Sequence, residues 1–393
     1  MMSSTFPVFR DDHARAAAMS GAVAMAAAMG FGRFSFTPIL PGMISELGLS
    51  ASASGLIAAG NFAGYLVGAL LAALHWAGGR ERQTALAALA ANAVLLALMA
   101  ATDNVLVFTF VRFLSGVASA FAMIFTSSVV LGHAARVGGE RIQSAHFGGV
   151  GVGIAASSAL VYAIGQIAPG AWRLDWLAGG AVSLAAFVLV LVLLPPMVTG
   201  SSAPQREPRL VWTRQFSRLV LSYGLFGFGY VVTATFIVAM IRLAHLGASV
   251  EFLSWFLTGC AATLSLIAWR PLMQRLGLGG AYLAALALEA VGVAASVLVH
   301  GPVAPLLGGV ALGATFMVIT AYGLRLTRDL APESPRRAFA LMTAAFGLGQ
   351  IAGPLVAGSV AEWSGGFTLP SLLAAGALAL SALIALPLRL SEK

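Results

Sequence analysis

The chemistry of this chain is concentrated in a few polar residues set inside long apolar runs. Arg33 stands in AMAAAMGFGRFSFTPILPGM (24–43), just after Gly30 and Gly32 and ahead of Pro38 and Pro41. A guanidinium is a permanent cation whose planar fork matches a carboxylate. At the centre of a bilayer it costs about 3 kcal/mol, a cost that falls away beside water or an anion. Arg33 is therefore expected to border a polar cavity; the competing reading is a side chain that snorkels to the interface. Arg112, in VRFLSG (111–116), raises the same question. Its alternative is a structural hydrogen bond to carbonyls of a neighbouring helix. Glu289 is the one acidic residue well inside an apolar run. A lone carboxylate there must hold a proton or find a cation. That suits a proton-coupling group, with a structural role, protonated or paired, as the alternative. His146 stands where an apolar run begins, as a relay group or an interfacial polar residue. Tyr230, Gln350 and Asn61 are uncharged candidates for the wall of a solute cavity, against interhelical hydrogen bonding. Phe34, Phe36, Phe226 and Phe228 flank two GFG elements and are candidate walls of an apolar pocket, against lipid-facing packing.

These side chains need membrane helices to hold them, and composition supplies them. Of 393 residues, 59% are hydrophobic and 9% charged, where soluble domains carry about 25% charged. Stretches 84–102, 176–205 and 371–388 have no Asp, Glu, Lys or Arg, and a spanning helix needs about 20 predominantly apolar residues. Twelve spans are predicted near 15–39, 52–76, 84–102, 104–133, 142–166, 174–195, 215–243, 250–270, 278–299, 303–325, 338–361 and 370–388, with Gly- and Pro-containing joints between them. Residues 15–39 also resemble a cleavable signal segment, but they recur later in the chain and are read as a retained span. The single cysteine, Cys260, lies in an apolar run, which rules out an internal disulfide and a cysteine metal site.

With the N-terminus placed in the cytoplasm, almost all of the 22 basic residues fall in cytoplasmic segments. Only Arg173 and Arg242 reach the other side, and Arg33 and Arg112 lie within spans, as the positive-inside rule requires. Both termini then face the cytoplasm. Scattered over short loops, these arginines are orientation signals, and the net charge of +8 does not imply a nucleic-acid partner. Residues 196–214 are rich in Pro, Ser and Arg and read as a cytoplasmic linker between domains 1–195 and 215–393. MGFGRFSFTPILPGM (29–43) aligns with FGFGYVVTATFIVAM (226–240) at a shift of 197, which also carries Asn92 onto Glu289 and Gly116 onto Gly313. Six spans separate the copies, so the duplicated units run parallel.

Glycines recur at spacing four, as in Gly60, Gly64 and Gly68, or Gly349 and Gly353, and put small faces where helix backbones meet closely. Gly30, Gly32, Gly116, Gly227 and Gly229 join these as packing or hinge positions. Pro38 and Pro354 are expected to bend or loosen their helices. GVGIAA (151–156) matches a loose dinucleotide fingerprint, but no strand precedes it and the reading is rejected. No metal or cofactor site is predicted.

Twelve spans in two six-helix halves around a basic linker resemble the major facilitator superfamily. RFLSG (112–116) is similar to its span-4 Arg-x-x-x-Gly element, and GGRER (78–82) to the end of its cytoplasmic loop signature. Trp76 stands about where that signature usually carries an acid. GQIAGPLVAG (349–358) in span 11 is similar to the Gly-Pro element that antiporters of the family carry in span 5. The stretches GFGRFSFTPILPGM, GNFAGYLVGALLA and YGLFGFGYVVTATF look like the bacterial YbfB/YjiJ branch. The resemblance implies an all-α membrane protein of two pseudo-symmetric six-helix bundles in a bacterial inner membrane. It also implies a relay role for Arg112 and a gating role for the loop of Gly79, Arg80 and Arg82.

The expected function is secondary active transport by alternating access, with an organic anion or carboxylate as solute and a proton as coupling ion. The rival is proton-driven efflux of drug-like or sugar-like compounds; a non-transporting membrane sensor is more remote. No enzyme is expected, since one mid-span Glu and one membrane-edge His do not make a catalytic cluster. A small solute, a proton and the lipid bilayer are the expected partners of a monomer.

Overall fold

The computed structural model describes residues 12–74, 76–137, 139–196 and 207–390. All regular structure among them is helical. Twelve helices are long and apolar enough to cross a membrane: α1 (Arg15–Leu47), α2 (Ala51–Ala72), α3 (Glu81–Ala101), α4 (Val105–Arg136), α5 (Glu140–Ile167), α6 (Trp172–Leu193), α7 (Arg214–Leu243), α8 (Ala248–Ala268), α9 (Arg270–Leu298), α10 (Val303–Leu330), α11 (Pro335–Ser364) and α12 (Thr368–Leu388). Local chemistry sets several ends. The Ser50 hydroxyl accepts from the Ala53 N–H at 3.1 Å and Thr213 does the same for Phe216 at 3.1 Å. Gly48 and Gly365, in the left-handed region at φ 63° and 73°, close α1 and α11. The twelve match the expected spans. Residues 197–206, most of the expected linker, lie outside the described residues, as do Arg10 and Lys393.

Two six-helix groups emerge from the packing. In the first, α1 packs on α5 and α6, α2 on α4, and α3 on α4 and α6. In the second the same pairs recur six helices later: α7 with α11 and α12, α8 with α10, α9 with α10 and α12. Two seams join the groups, α2 against α11 and α5 against α8, and these are themselves exchanged by the same shift.

One end of the molecule carries the described chain ends and the α6–α7 connection; call it proximal. At the other, distal end the two groups also meet through α1 and α7. Residues 27–43 of α1 and 229–239 of α7 are buried without a break. The Thr37 hydroxyl donates across to the Ala234 carbonyl at 2.5 Å, between two residues one repeat apart. The packing of α1 on α7 comes from Phe36–Leu47, whereas Asp12–Met25 packs instead on helices of its own group. The distal end is therefore sealed while α1 and α7 diverge toward the proximal end.

Candidate functional site

The site begins with a break in α1. Ala26–Phe31 form a π-helical turn, residues 32–35 a further turn, and Phe36–Leu47 a new helical segment. The sequence suggested that Pro38 and Pro41 would loosen the outer end. The π-helical break lies before both: Pro38 falls in the first turn of the new segment, where a missing N–H costs nothing, and Pro41 lies inside that segment, where it removes one backbone hydrogen bond. Glycines 30 and 32 permit the irregular stretch. A Cβ on Gly30 would strike the Gly153 backbone of α5, and one on Gly32 would strike the Asn92 amide.

Broken helices expose carbonyls, and in lipid each needs a donor. Arg112 supplies two. Its Nη1 donates to the Gly32 carbonyl at 2.9 Å and its Nη2 to the Arg33 carbonyl at 2.9 Å. Ser115 donates to the Gly32 carbonyl at 3.2 Å and to Asn92 Oδ1 at 3.0 Å, and Asn92 Nδ2 donates to Ala27 at 3.2 Å. Asn61 Nδ2 reaches the Arg112 carbonyl at 3.1 Å. Arg112, Asn92, Ser115 and Asn61 thus form one buried clamp on the π-helical break. Asn61 was a candidate cavity residue; its amide is turned into the α2–α4 contact, where Gly60, Gly64 and Gly116 bring the backbones together.

Held by that clamp, Arg33 points between the two groups. It is 4% exposed, and its Nε and Nη2 have no hydrogen-bond partner. No acidic residue pairs with it among the described residues. The guanidinium carbon lies 4.3 Å from the Tyr65 ring centroid, 4.7 Å from Phe62 and 5.6 Å from Phe34. A desolvated cation–π contact contributes about 2 kcal/mol, so these rings offset much of the roughly 3 kcal/mol insertion cost. They leave Nε and Nη2 without a hydrogen-bond acceptor.

The facing wall comes from the second group. Tyr230, one repeat from Arg33, turns its hydroxyl toward the guanidinium and accepts a hydrogen bond from Gln350 Nε2. Its ring lies parallel to Phe316 and Phe346, at centroid distances of 6.1 Å and 5.7 Å with planes 2° apart. Phe34 meets Trp255 and Phe316 edge-on across the seam. A cavity of about 10 Å³ lies between Phe34, Tyr230, Trp255 and Phe316, room for roughly one water.

The same sequence matches a protein-family model described as "Uncharacterised MFS-type transporter YbfB" over residues 25–386. The chain belongs to that family of the major facilitator superfamily. It is a multi-pass membrane transporter. Solved structures agree on the fold. A point mutant of the nucleoside transporter NupG superposes with a TM-score of 0.77 at 13% identity, covering 94% of this chain and 99% of that one. A bacterial homolog of the human lysosomal transporter Spinster, in an inward-facing and unoccupied conformation, gives 0.71 at 13% identity, covering 96% and 97%. No curated protein matches the sequence.

In this MFS transporter the other sequence candidates fall into distinct places. Glu289 is wholly buried where α9 meets α10, and neither carboxylate oxygen has a hydrogen-bond partner. Thr315 lies beside it, though that hydroxyl donates to Ala311 at 2.6 Å. His146 corrects an expectation. It stands near the start of α5, as expected, but is 0% exposed rather than facing the interface, because α1 and α4 close over it: Nε2 pairs with Ser127 at 2.8 Å, and Gly21 lies against Nδ1. Of the loop residues, Gly79 takes a left-handed conformation at φ 77° and Arg80 stands at the start of α3. Arg82 donates to the Leu194 and Leu191 carbonyls at 2.9 Å each, at the C-terminus of α6. There a cation complements the helix dipole. Gly227 packs on Phe346 of α11, Gly229 on Leu378 of α12, and Gly353 on α7, while the Pro354 carbonyl faces Gly55 across the seam.

Sequence reading did not pick out Ser115, Phe62, Trp255, Phe316 or Phe346. Their types are common in any apolar span. The one usable signal was the repeat, which set Asn92 opposite Glu289 and Tyr230 opposite Arg33.

Proposed function

We propose that this chain is a secondary active transporter of a small organic anion across the bacterial inner membrane, with the proximal end and both termini cytoplasmic. One observation carries the reading. A permanent cation sits buried between the two groups with two free N–H donors and, among the described residues, no acidic partner. A solute carboxylate is the complement of that fork. The sealed distal end and the diverging proximal end support a cytoplasm-facing stage of alternating access. Domains 1–195 and 215–393 are the moving bodies, joined by the 196–214 linker.

We assign the coupling proton to Glu289. An unpaired buried carboxylate is tolerated as the neutral acid, and Tyr230 lies within electrostatic reach of both Glu289 and Arg33. Arg112 relays the state of the site mechanically, since it holds the backbone that carries Arg33. His146, between α1, α4 and α5, is the further relay candidate. The loop of Gly79, Arg80 and Arg82 gates through the end of α6. The aromatic wall favours one second reading, proton-driven efflux of drug-like amphiphiles.

Flux into proteoliposomes tests the assignment. Arg33→Gln is expected to lower uptake of a transported anion by about tenfold or more while leaving a neutral amphiphile nearly unchanged. Equal loss for both would remove the anion reading in favour of efflux.

A further inference from the structure

The charged end of the site is one fork, and the rings around it are aromatic, with Gln350 bonded to the Tyr230 hydroxyl. Phe34, Phe62 and Tyr65 surround the Arg33 guanidinium from one group, and Tyr230, Phe316 and Phe346 face it from the other with parallel rings. From this we infer, resting on the anion reading above, that the solute is a planar aromatic monocarboxylate.

Each part of that description has its own cause. The carboxylate is set by the free Nε and Nη2 of Arg33, two N–H groups that a single planar carboxylate satisfies together. The charge is single because the other buried guanidinium of the site is engaged. Both Nη atoms of Arg112 donate to the carbonyls of the α1 break, so a second carboxylate would have no cation to meet. The aromatic ring is set by the facing wall. Phe316 and Phe346 each lie within 2° of the plane of Tyr230. A flat ring extends such a parallel stack by face or offset contact, where a puckered saturated ring touches it only at its axial hydrogens.

Fork and wall belong to different groups, which ties the ring to the transport cycle. In the present state the space between Phe34, Tyr230, Trp255 and Phe316 is about 10 Å³, too small for a ring. The solute enters from the proximal end as α1 and α7 part, and its ring replaces the contact of Phe34 with Phe316 and Trp255. It then bridges the two groups, cationic fork on one side and aromatic wall on the other.

Thermal unfolding of the purified full chain in lipid nanodiscs tests this with four probes at matched concentrations: benzoate, cyclohexanecarboxylate, benzamide and phthalate. Benzoate is expected to raise the midpoint, with an apparent affinity at least roughly fivefold above cyclohexanecarboxylate, the stacking margin of one to two aromatic contacts. Benzamide and phthalate are expected to shift it little. Arg33→Gln should abolish the benzoate response. Phe316→Leu guards against a folding defect in that variant: it should keep carboxylate binding and lose the preference for benzoate over cyclohexanecarboxylate. Equal responses to benzoate and cyclohexanecarboxylate would overturn the aromatic inference and leave the anion reading standing. Benzamide as effective as benzoate would overturn the anion reading itself. Phthalate binding as tightly as benzoate would overturn the single charge, and no response to any probe would overturn the inference as a whole.

Discussion

Two arginines of the same type do opposite work. Arg112 has its Nη groups filled by backbone carbonyls, and Arg33 has free N–H groups directed between the helix groups. Sequence placed both inside spans and weighed a cavity against snorkelling for Arg33, and a relay role against a carbonyl contact for Arg112. It had no means of choosing, because a carbonyl acceptor belongs to every residue and leaves no mark in the side-chain order. The clamp makes a prediction of its own. Arg112→Ala strands the Arg33 carbonyl and leaves Gly32 to Ser115 alone, and an unsatisfied buried acceptor costs about 1–3 kcal/mol. Its unfolding midpoint is expected to fall well below wild type. Arg112→Lys should recover part of the loss, since a compact ammonium on a flexible stem does not reproduce a planar fork. A midpoint for Arg112→Ala equal to wild type would show that the break in α1 needs no clamp. His146 teaches a related lesson about burial. Position along the chain gives depth in a membrane, but burial depends on which way the helix is turned, and α5 turns His146 into α1 and α4.

At the level of elements, the glycine pattern was the most legible feature. Spacing of four predicted close helix contacts, and a Cβ on Gly64 would run into the Phe113 carbonyl of α4, while one on Gly349 would meet Gly224 of α7. Not every glycine has this role. A Cβ on Gly376 of α12 would meet nothing within 4 Å. The contrast is measurable in detergent or nanodiscs by thermal or chemical unfolding. Gly64→Ala is expected to lose about 1–3 kcal/mol by overpacking, and Gly376→Ala to stay within about 0.5 kcal/mol of wild type. Equal stabilities would mean that the α2–α4 contact is looser than its geometry. The π-helical turn of α1 was less legible. Gly30 and Gly32 marked a permissive stretch, but the prolines drew attention to the wrong turn. A proline in the first turn of a segment starts a helix instead of breaking it. In α7 the equivalent stretch is an unbroken helix. There Tyr230 replaces Arg33 and Gly309 replaces Arg112, so neither the buried charge nor its clamp is present.

For the molecule as a whole, the decisive contacts join residues far apart in sequence. Thr37 meets Ala234, Ser52 meets Glu362 and the Gly55 face meets Pro354, all between the two groups. Alternating access requires some of these to separate. Cysteines at Ser52 and Glu362, in a Cys260→Ser background, are expected to cross-link and stop transport, with recovery on reduction. Full cross-linking with transport intact would exclude opening at the distal end. The order of residues by itself determined the solvent, the dozen crossings and the doubling of a six-helix unit. Each follows from a property summed along one helix, its apolar length, its charged flanks and its recurrence. Tertiary structure decided which face of each helix turns inward, where α1 breaks, and that Arg33 meets a wall of rings. Those depend on rotation about the helix axis, and lipid is indifferent to rotation. Only contact with neighbouring helices sets it.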